Sequence, residues 1–522
     1  MFTKSRLAPD DRRKDRVYRS FERNLQDIVR LGLGSGATVV LSTVAVNLRD
    51  CPPFASWGRA DLSVVDRAAS DKLSVEASTA ERQGNFAQAA TLYNQAASLE
   101  PVFAELQFRL GDCLLRLTNV AVARQHFQRA CDDDALPFRA DSHINRLITQ
   151  VGEHSVGSHL ALLDVVALFS TNSAAVVPGQ EWFYEHVHFN FDGNYCLARA
   201  WAQQVEGFLP RALTEGVVNR WASQATCERR LGLTDYNRSA VMEDVIRRLR
   251  QPPFTGQLNN TQRLASAQSS LRDIRERMDT NAAVAARELY QEALAHSPDD
   301  HRLHENFAEF LEAVGELQQA AAEWQRVSEL IPHHHLAYFQ TGRLLALQRR
   351  PAEAESALRI ALKLRPDLSE GWFELGNLHA AEGKLEQALQ EFARSRRLIP
   401  EDYRIYHHMG QALSKLSRRA EAIQNFRQAL RLRPGYWQAR YSLAEELAFD
   451  GQTQEALRQF EQVLRLKPDH AMAHLNLGVA LFKLGRMDEA KQQFAQALRL
   501  NPDNRLAVDY LRQLQNVADP KP

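Results

Sequence analysis

Through the second half of the chain a small residue is followed four positions later by a bulky apolar one, and the pair returns every 34 residues. The small residues are Ala286, Ala320, Ala354, Ala388, Ala422, Ala456 and Ala490, and the bulky ones are Tyr290, Trp324, Leu358, Phe392, Phe426, Phe460 and Phe494. A proline closes each period, at Pro298, Pro332, Pro366, Pro400, Pro434, Pro468 and Pro502, and Gly342, Gly376, Gly410 and Gly478 keep the same step with Ala308 and Ala444 between them. Residues four apart share one face of a helix. A small residue where two helices cross lets their backbones approach, and the large one fills the groove beside it. Proline cannot continue a helix and ends the second of each pair. One helical hairpin cannot bury its apolar face alone, so neighbours must stack on it. The pattern predicts a mainly α chain whose C-terminal part is an α-solenoid.

The first half alternates differently. Residues 17–31 carry Val17, Phe21, Leu25, Ile28 and Val29 at helical spacing, and 37–46 (ATVVLSTVAV) is a β-branched apolar run that reads as a buried parallel strand. Further helices are expected near 140–151 and 194–208, with an apolar strand at 159–166. Between them the 34-residue step appears early, in Ala89 and Ala123, Tyr93 and Phe127, and Ala96 and Ala130. The expected organisation is a partial α/β domain over 1–64 and 135–211, interrupted by helical hairpins over 65–134. A helical connector at 212–265, about seven repeats at 266–504, and a capping helix with a frayed tail at 505–522 complete it. Gly32, Gly34 and Gly36 precede the first strand, whereas a dinucleotide-binding fingerprint must follow one, so no Rossmann site is read there.

The 34-residue signature closely resembles the tetratricopeptide repeat (TPR) family over about half of the chain. The resemblance implies that the first helix of each hairpin lines a concave groove through its fifth and ninth repeat positions. Here the fifth positions are Glu305, Phe339, Phe373, His407, Tyr441 and Leu475, and the ninth are Glu309, Arg343, Asn377, Gln411, Glu445 and Val479. Aromatic and apolar groups interleaved with amides and charges suit an extended peptide, whose backbone the polar groups hydrogen-bond. The repeated Lys/Asn set with which family members clamp a C-terminal carboxylate is missing.

The segment 178–198 (PGQEWFYEHVHFNFDGNYCLA) holds an acid-x-x-His block, Glu185 and His188, ahead of a glycine-containing turn and a helix. With the strands and helices before it, this looks like the C-terminal half of an SGNH (GDSL-type) hydrolase, a flavodoxin-like α/β fold, with Glu in place of the family's Asp. The resemblance implies that His188 is a general base oriented by Glu185. The nucleophile is missing, since neither Gly-Asp-Ser nor Gly-x-Ser-x-Gly occurs in the sequence. Loss of that serine costs on the order of 10⁶ in turnover, so the remnant is expected to be inactive.

Bulk composition changes little in this picture. Lys plus Arg and Asp plus Glu are equal at 64 each, which leaves no basic field to argue for nucleic acid. Five cysteines without C-x-x-C pairing fit a reducing, cytoplasmic setting better than a disulfide framework. No run approaches the roughly 18 apolar residues of a membrane span, and the polar start lacks the h-region of a secretory signal. His186 with His188, His333 to His335, and His407 with His408 lack a third ligand at a recognised spacing, so no metal or other cofactor is expected.

The sequence therefore reads as a TPR protein–protein interaction scaffold that binds a peptide or partner protein and carries an inactive SGNH-like remnant. The alternative is an esterase or acyl-transfer hydrolase whose nucleophile lies outside these residues. A glycosyltransferase finds no nucleotide-sugar domain here.

Overall fold

The two periodicities become two kinds of structure. The computed structural model describes residues 6–154, 159–173, 175–214 and 221–518. It divides into two units, 1–293 and 294–522. The expected polar start over 1–5, part of the connector at 215–220 and the tail at 519–522 lie outside the described residues.

Unit 1 opens with the helix α1 (Arg12–Gly34), whose first turn is capped by Asp11. The strand β1 (Val39–Ser42) follows, then two hairpins: α2 (Val64–Arg82) with α3 (Phe86–Leu99), and α4 (Ala104–Arg116) with α5 (Val120–Asp132). Next come α6 (Ser142–His154), β2 (Leu160–Leu163), α7 (Val165–Thr171) and α8 (Phe191–Glu206). The remaining helices are α9 (Arg211–Thr214), α10 (Gln224–Arg230), α11 (Asp235–Leu249), α12 (Asn260–Glu276) and α13 (Thr280–His296), the last of which runs past the division.

The expected α/β domain is much reduced. β1 and β2 pair in parallel, Val39 opposite Leu160 and Ser42 opposite Leu163, and among the described residues they form a sheet of two strands. A sheet of that size does not make a flavodoxin-like, SGNH-type domain. The run 37–46 stays in the ladder only over 39–42 because the backbone beyond it is engaged elsewhere: Val44 N–H donates to Asn145 Oδ1 at 2.7 Å, and Asn145 Nδ2 donates to Val44 O at 3.1 Å. The second strand stops at Leu163 because Asp164 accepts from Ala167 N–H at 3.0 Å and caps α7. Val29 of α1 and Ile148 and Val151 of α6 cover Leu41 of β1.

The segment expected as a connector is part of the same core. Val245, Ile246 and Leu249 of α11, Phe254, and Ala267 and Leu271 of α12 pack with Cys51, Phe54 and Leu136. Helix α12 packs on α11, and Tyr290 of α13 donates to Asn237 Oδ1 at 2.7 Å.

Unit 2 carries the regular repeats. Its first helices are α14 (His301–Ala313), paired with α15 (Leu317–Leu330), and α16 (His335–Leu347), paired with α17 (Pro351–Leu364). Then follow α18 (Ser369–Ala381) with α19 (Leu385–Leu398), α20 (Tyr403–Lys415) with α21 (Arg419–Leu432), and α22 (Trp437–Phe449) with α23 (Thr453–Leu466). The last pair is α24 (Ala471–Lys483) with α25 (Met487–Leu500), and α26 (Arg505–Ala518) covers its end through Ala507 and Leu514. The recurring large side chains Trp324, Phe392, Phe426, Phe460 and Phe494 are buried throughout. A Cβ placed on Gly376, Gly410 or Gly478 would stand 2.6 Å from the ring of Phe392, Phe426 or Phe494 of the same hairpin. The glycine step is therefore set by that ring, which needs the backbone itself as its neighbour.

Candidate functional site

Within unit 2, α16, α18, α20 and α22 each touch the next first helix as well as their own partner, so the first helices from α16 to α24 form one continuous face. The groove positions read from the sequence fall on it, with different fates. Phe339, Arg343, Phe373, Asn377, Tyr441, Glu445 and Val479 are half-buried, while Gln411 and Glu309 are exposed. His407 (6% exposed), Glu305 (7%) and Leu475 (2%) are buried instead. Tyr436 explains His407: its hydroxyl lies 3.0 Å from Nδ1 and its ring crosses the imidazole edge-on at 5.1 Å. Leu475 belongs to the apolar core shared by α20 to α26.

Polar groups bridge successive repeats along the face. Arg343 of α16 donates through Nη2 to both oxygens of Glu312 on α14, at 2.6 and 2.5 Å, and through Nε to Gln340 at 2.8 Å. Asn476 of α24 donates to Tyr441 Oη at 3.0 Å and to Glu445 Oε1 at 3.4 Å on α22. Asn377 reaches Glu374 Oε2 at 3.4 Å. Phe373 meets His408 edge-on at 4.9 Å, and the Arg404 guanidinium lies 5.5 Å above its ring.

Between α18 and α22 this face holds a cavity of about 270 Å³ lined by His408, Gln411, Ser414, Lys415, Ser442 and Glu445, with Glu446 beneath, which accepts from Ser414. Burial raises the Glu445 carboxyl above its usual range, with Glu446 adding to the shift, and burial likewise raises Glu374. Burial also lowers His407 to about 4, helped by the neighbouring His408. The sixth and twelfth repeat positions, Glu374, His408, Ser442, Asn476 and Ser414, were missed by taking only the fifth and ninth. Helical spacing of three and four places them on the same stripe and is the signal that finds them.

In unit 1 the acid-x-x-His block forms a tight turn. Phe183 and Phe189 bridge across it, and Tyr184 N–H donates to His188 O at 2.9 Å. Glu185 has no solvent exposure. Its Oε2 accepts from the backbone N–H groups of His186 (2.6 Å), Val187 (3.2 Å) and His188 (3.3 Å) and from His186 Nδ1 at 2.9 Å. Its Oε1 meets His188 Nδ1 and takes Arg248 Nη1 at 3.1 Å. Burial alone would raise this carboxyl, yet the hydrogen bonds and charges around it hold it well below the usual carboxylate range. Asn47, fully buried in the segment that follows β1, donates to Glu185 O at 2.7 Å and accepts from Asp50 N–H at 2.9 Å, tying the turn to that segment. The His188 ring stays more than half exposed.

Two groups of described residues bring three ligating atoms within 4.8 Å of one another: Glu185, His186 and His188, and Glu355, His379 and Glu382. Each already has cations against its carboxylates, Arg248 in the first and Arg359 (2.7 Å) with Lys384 (3.0 Å) in the second. Among the described residues no helix is long and apolar enough to cross a membrane.

Two tetratricopeptide repeat models match the chain, one over residues 75–140, 339–403 and 443–505 and the other over 403–436. Similar solved structures include YrrB, described as a TPR protein with an unusual peptide-binding site. It is 24% identical over 36% of this chain and 97% of that one, with a TM-score of 0.33. PilF of Pseudomonas aeruginosa is 17% identical over 41% and 97%, with a TM-score of 0.38. Cut9–Hcn1 of the APC/C is 16% identical over 85% and 96%, with a TM-score of 0.37. No curated protein matches the chain. The chain thus carries tetratricopeptide repeats in both of its units.

Proposed function

We propose that the first-helix face of the repeats over 266–504 binds an extended segment of a partner protein, so that the chain acts as an interaction scaffold. The observation that carries this reading is the polar cavity bounded by Gln411, Ser414, Ser442 and Glu445, with the half-buried rings of Phe373 and Tyr441 on the helices that flank it. Amide, hydroxyl and carboxylate groups there supply donors and acceptors to a peptide backbone, and the two rings give its side chains apolar surface to stack on. Arg343 and Asn377 extend the same polar line toward α14. A peptide array followed by calorimetry tests it: Phe373→Ala with Tyr441→Ala should weaken binding at least tenfold, and unchanged binding would refute it.

A second reading concerns unit 1 alone, as an SGNH-like remnant, and one contact favours it. Glu185 engages Nδ1 of His188 and leaves the ring more than half exposed, the arrangement a general base needs. Without a Gly-Asp-Ser block the remnant is inactive by itself, and an ester hydrolase would need a nucleophile from outside these residues. Hydrolysis of a p-nitrophenyl ester by the purified chain, lost in His188→Ala, would overturn the inactive reading.

A further inference from the structure

Five successive second helices of unit 2, α17, α19, α21, α23 and α25, carry a cation at the same place in their last turn: Lys363, Arg397, Arg431, Arg465 and Arg499, one every 34 residues. All five are exposed, and none makes a hydrogen bond or an ion pair with a described residue. The starts of three of these helices differ, because Arg350, Arg418 and Arg486 each hold a glutamate three residues on, Glu353, Glu421 and Glu489. A cation in a last turn gains a little from the helix dipole. The dipole needs no such regularity, since a cation on any side of that turn would serve it equally.

The stripe passes an open furrow. Between α21, α22 and α23 a volume of about 590 Å³ is walled by Arg427, Arg431 and Arg440 together with Leu430 and Leu443. Its acid, Glu455, is taken by Arg427 at 3.0 Å. Arg440 donates to Gln459 Oε1 at 2.8 Å and to Pro434 O at 2.7 Å, neither of them charged, and burial alone lowers its pKa. Arg431 and Arg440 thus line the furrow without a carboxylate of their own. Beside four of the stripe cations a leucine is left 37–47% exposed: Leu364, Leu398, Leu466 and Leu500.

This surface is complementary to an anionic chain. Guanidinium groups match carboxylates through a two-point fork, and the leucines offer apolar surface between them. Single-stranded nucleic acid stacks its bases on aromatic rings, whereas the part-exposed residues beside these cations are aliphatic. A bilayer is planar, while a furrow between helices admits a chain. We propose that the ends of the second helices from α17 to α25 dock an acidic polypeptide segment of a partner protein, its carboxylates taken by the five stripe cations and its apolar side chains by the leucines between them. The surface belongs to the second helices and is separate from the first-helix face proposed above.

Fluorescence anisotropy on the full chain tests it, with a labelled peptide of repeating Glu-Glu-Leu as the probe. Its Gln-Gln-Leu counterpart, a single-stranded oligonucleotide and vesicles of phosphatidylcholine with phosphatidylserine serve as comparisons. The acidic peptide should bind, more weakly as salt rises, and its glutamine counterpart at least tenfold more weakly. Arg397→Gln with Arg431→Gln and Arg465→Gln should weaken the acidic peptide at least tenfold. Where circular dichroism shows that variant unfolded, Lys363→Gln with Arg499→Gln should show a smaller loss of the same sign. The assignment is overturned if the acidic peptide does not bind, if both peptides bind alike, or if the folded variants bind as the parent does. It is equally overturned if the oligonucleotide or the vesicles displace the probe at lower concentration than the unlabelled peptide.

Discussion

Arg139 and Asp134 meet at 3.4 Å with side chains only 2% exposed each, at the point where the inserted repeat pair of unit 1 rejoins its first strand. Asp134 accepts from the backbone N–H groups of Phe54, Ala55 and Leu136 at 2.9, 3.1 and 3.0 Å, and Arg139 donates to Asn47 O at 3.0 Å and Cys51 O at 2.6 Å. The pair therefore ties the exit of β1 to the exit of α5. Replacing Asp134 by Ala strands a buried guanidinium and should cost unit 1 about 3–5 kcal/mol. Adding Arg139→Met to that variant should recover part of the loss, which a double-mutant cycle of denaturation midpoints reads directly.

Gly410→Ala should destabilise unit 2 although alanine is the better helix former. The new Cβ meets Phe426 at 2.6 Å, and overpacking of that kind costs about 1–3 kcal/mol, which outweighs the roughly 1 kcal/mol gained in helix propensity. A higher melting temperature would contradict the packing described.

The turns between paired helices give the opposite sign. Gly315, Gly383, Gly451 and Gly485 hold positive φ there, and Arg349 (φ 58°) and Ser417 (φ 60°) occupy the same place in the other two full repeats. A left-handed conformation costs a residue with a Cβ about 1 kcal/mol. Arg349→Gly and Ser417→Gly should each raise stability by roughly that amount in urea titrations, less the entropy that glycine adds to the unfolded chain.

His407 gives unit 2 a defined acid sensitivity. Its folded value is about 4 against an ordinary 6.5, so below pH 6.5 the unfolded chain takes up the proton first. Stability is fully present above pH 6.5 and is lost as pH falls toward 4, by about 3 kcal/mol at the lower end. His407→Gln should flatten that part of the stability profile while leaving neutral-pH peptide binding close to the parent's.

Much of unit 2 is legible in the sequence because one physical requirement repeats. Each hairpin must cross at a small residue and stop at a proline, so Ala388, Phe392 and Pro400 predict what Ala422, Phe426 and Pro434 do. The groove was legible as a stripe but not residue by residue. Phe373 and Tyr441 stay half-buried, whereas His407 is drawn into the core by Tyr436, the last residue of its own repeat, which the fifth-and-ninth reading ignores. In unit 1 the apolar runs mark the strands but not their ends: past β1 the backbone of Val44 is taken by Asn145, far away in sequence, while Asp164 ends β2 as the cap of α7. Helix α7 was hidden because its residues continue the apolar run of β2.

The rings that fill the place of a missing Cβ at Gly376 and Gly410 also reach the inward stripe: Phe392 lies 5.8 Å from Phe373 and 6.0 Å from His408, and Phe426 lies 5.9 Å from His407 and borders the cavity with Gln411 and Ser414. A guest that shifts the stripe therefore presses on the crossing of the helices beneath it, and occupancy and pitch are set together.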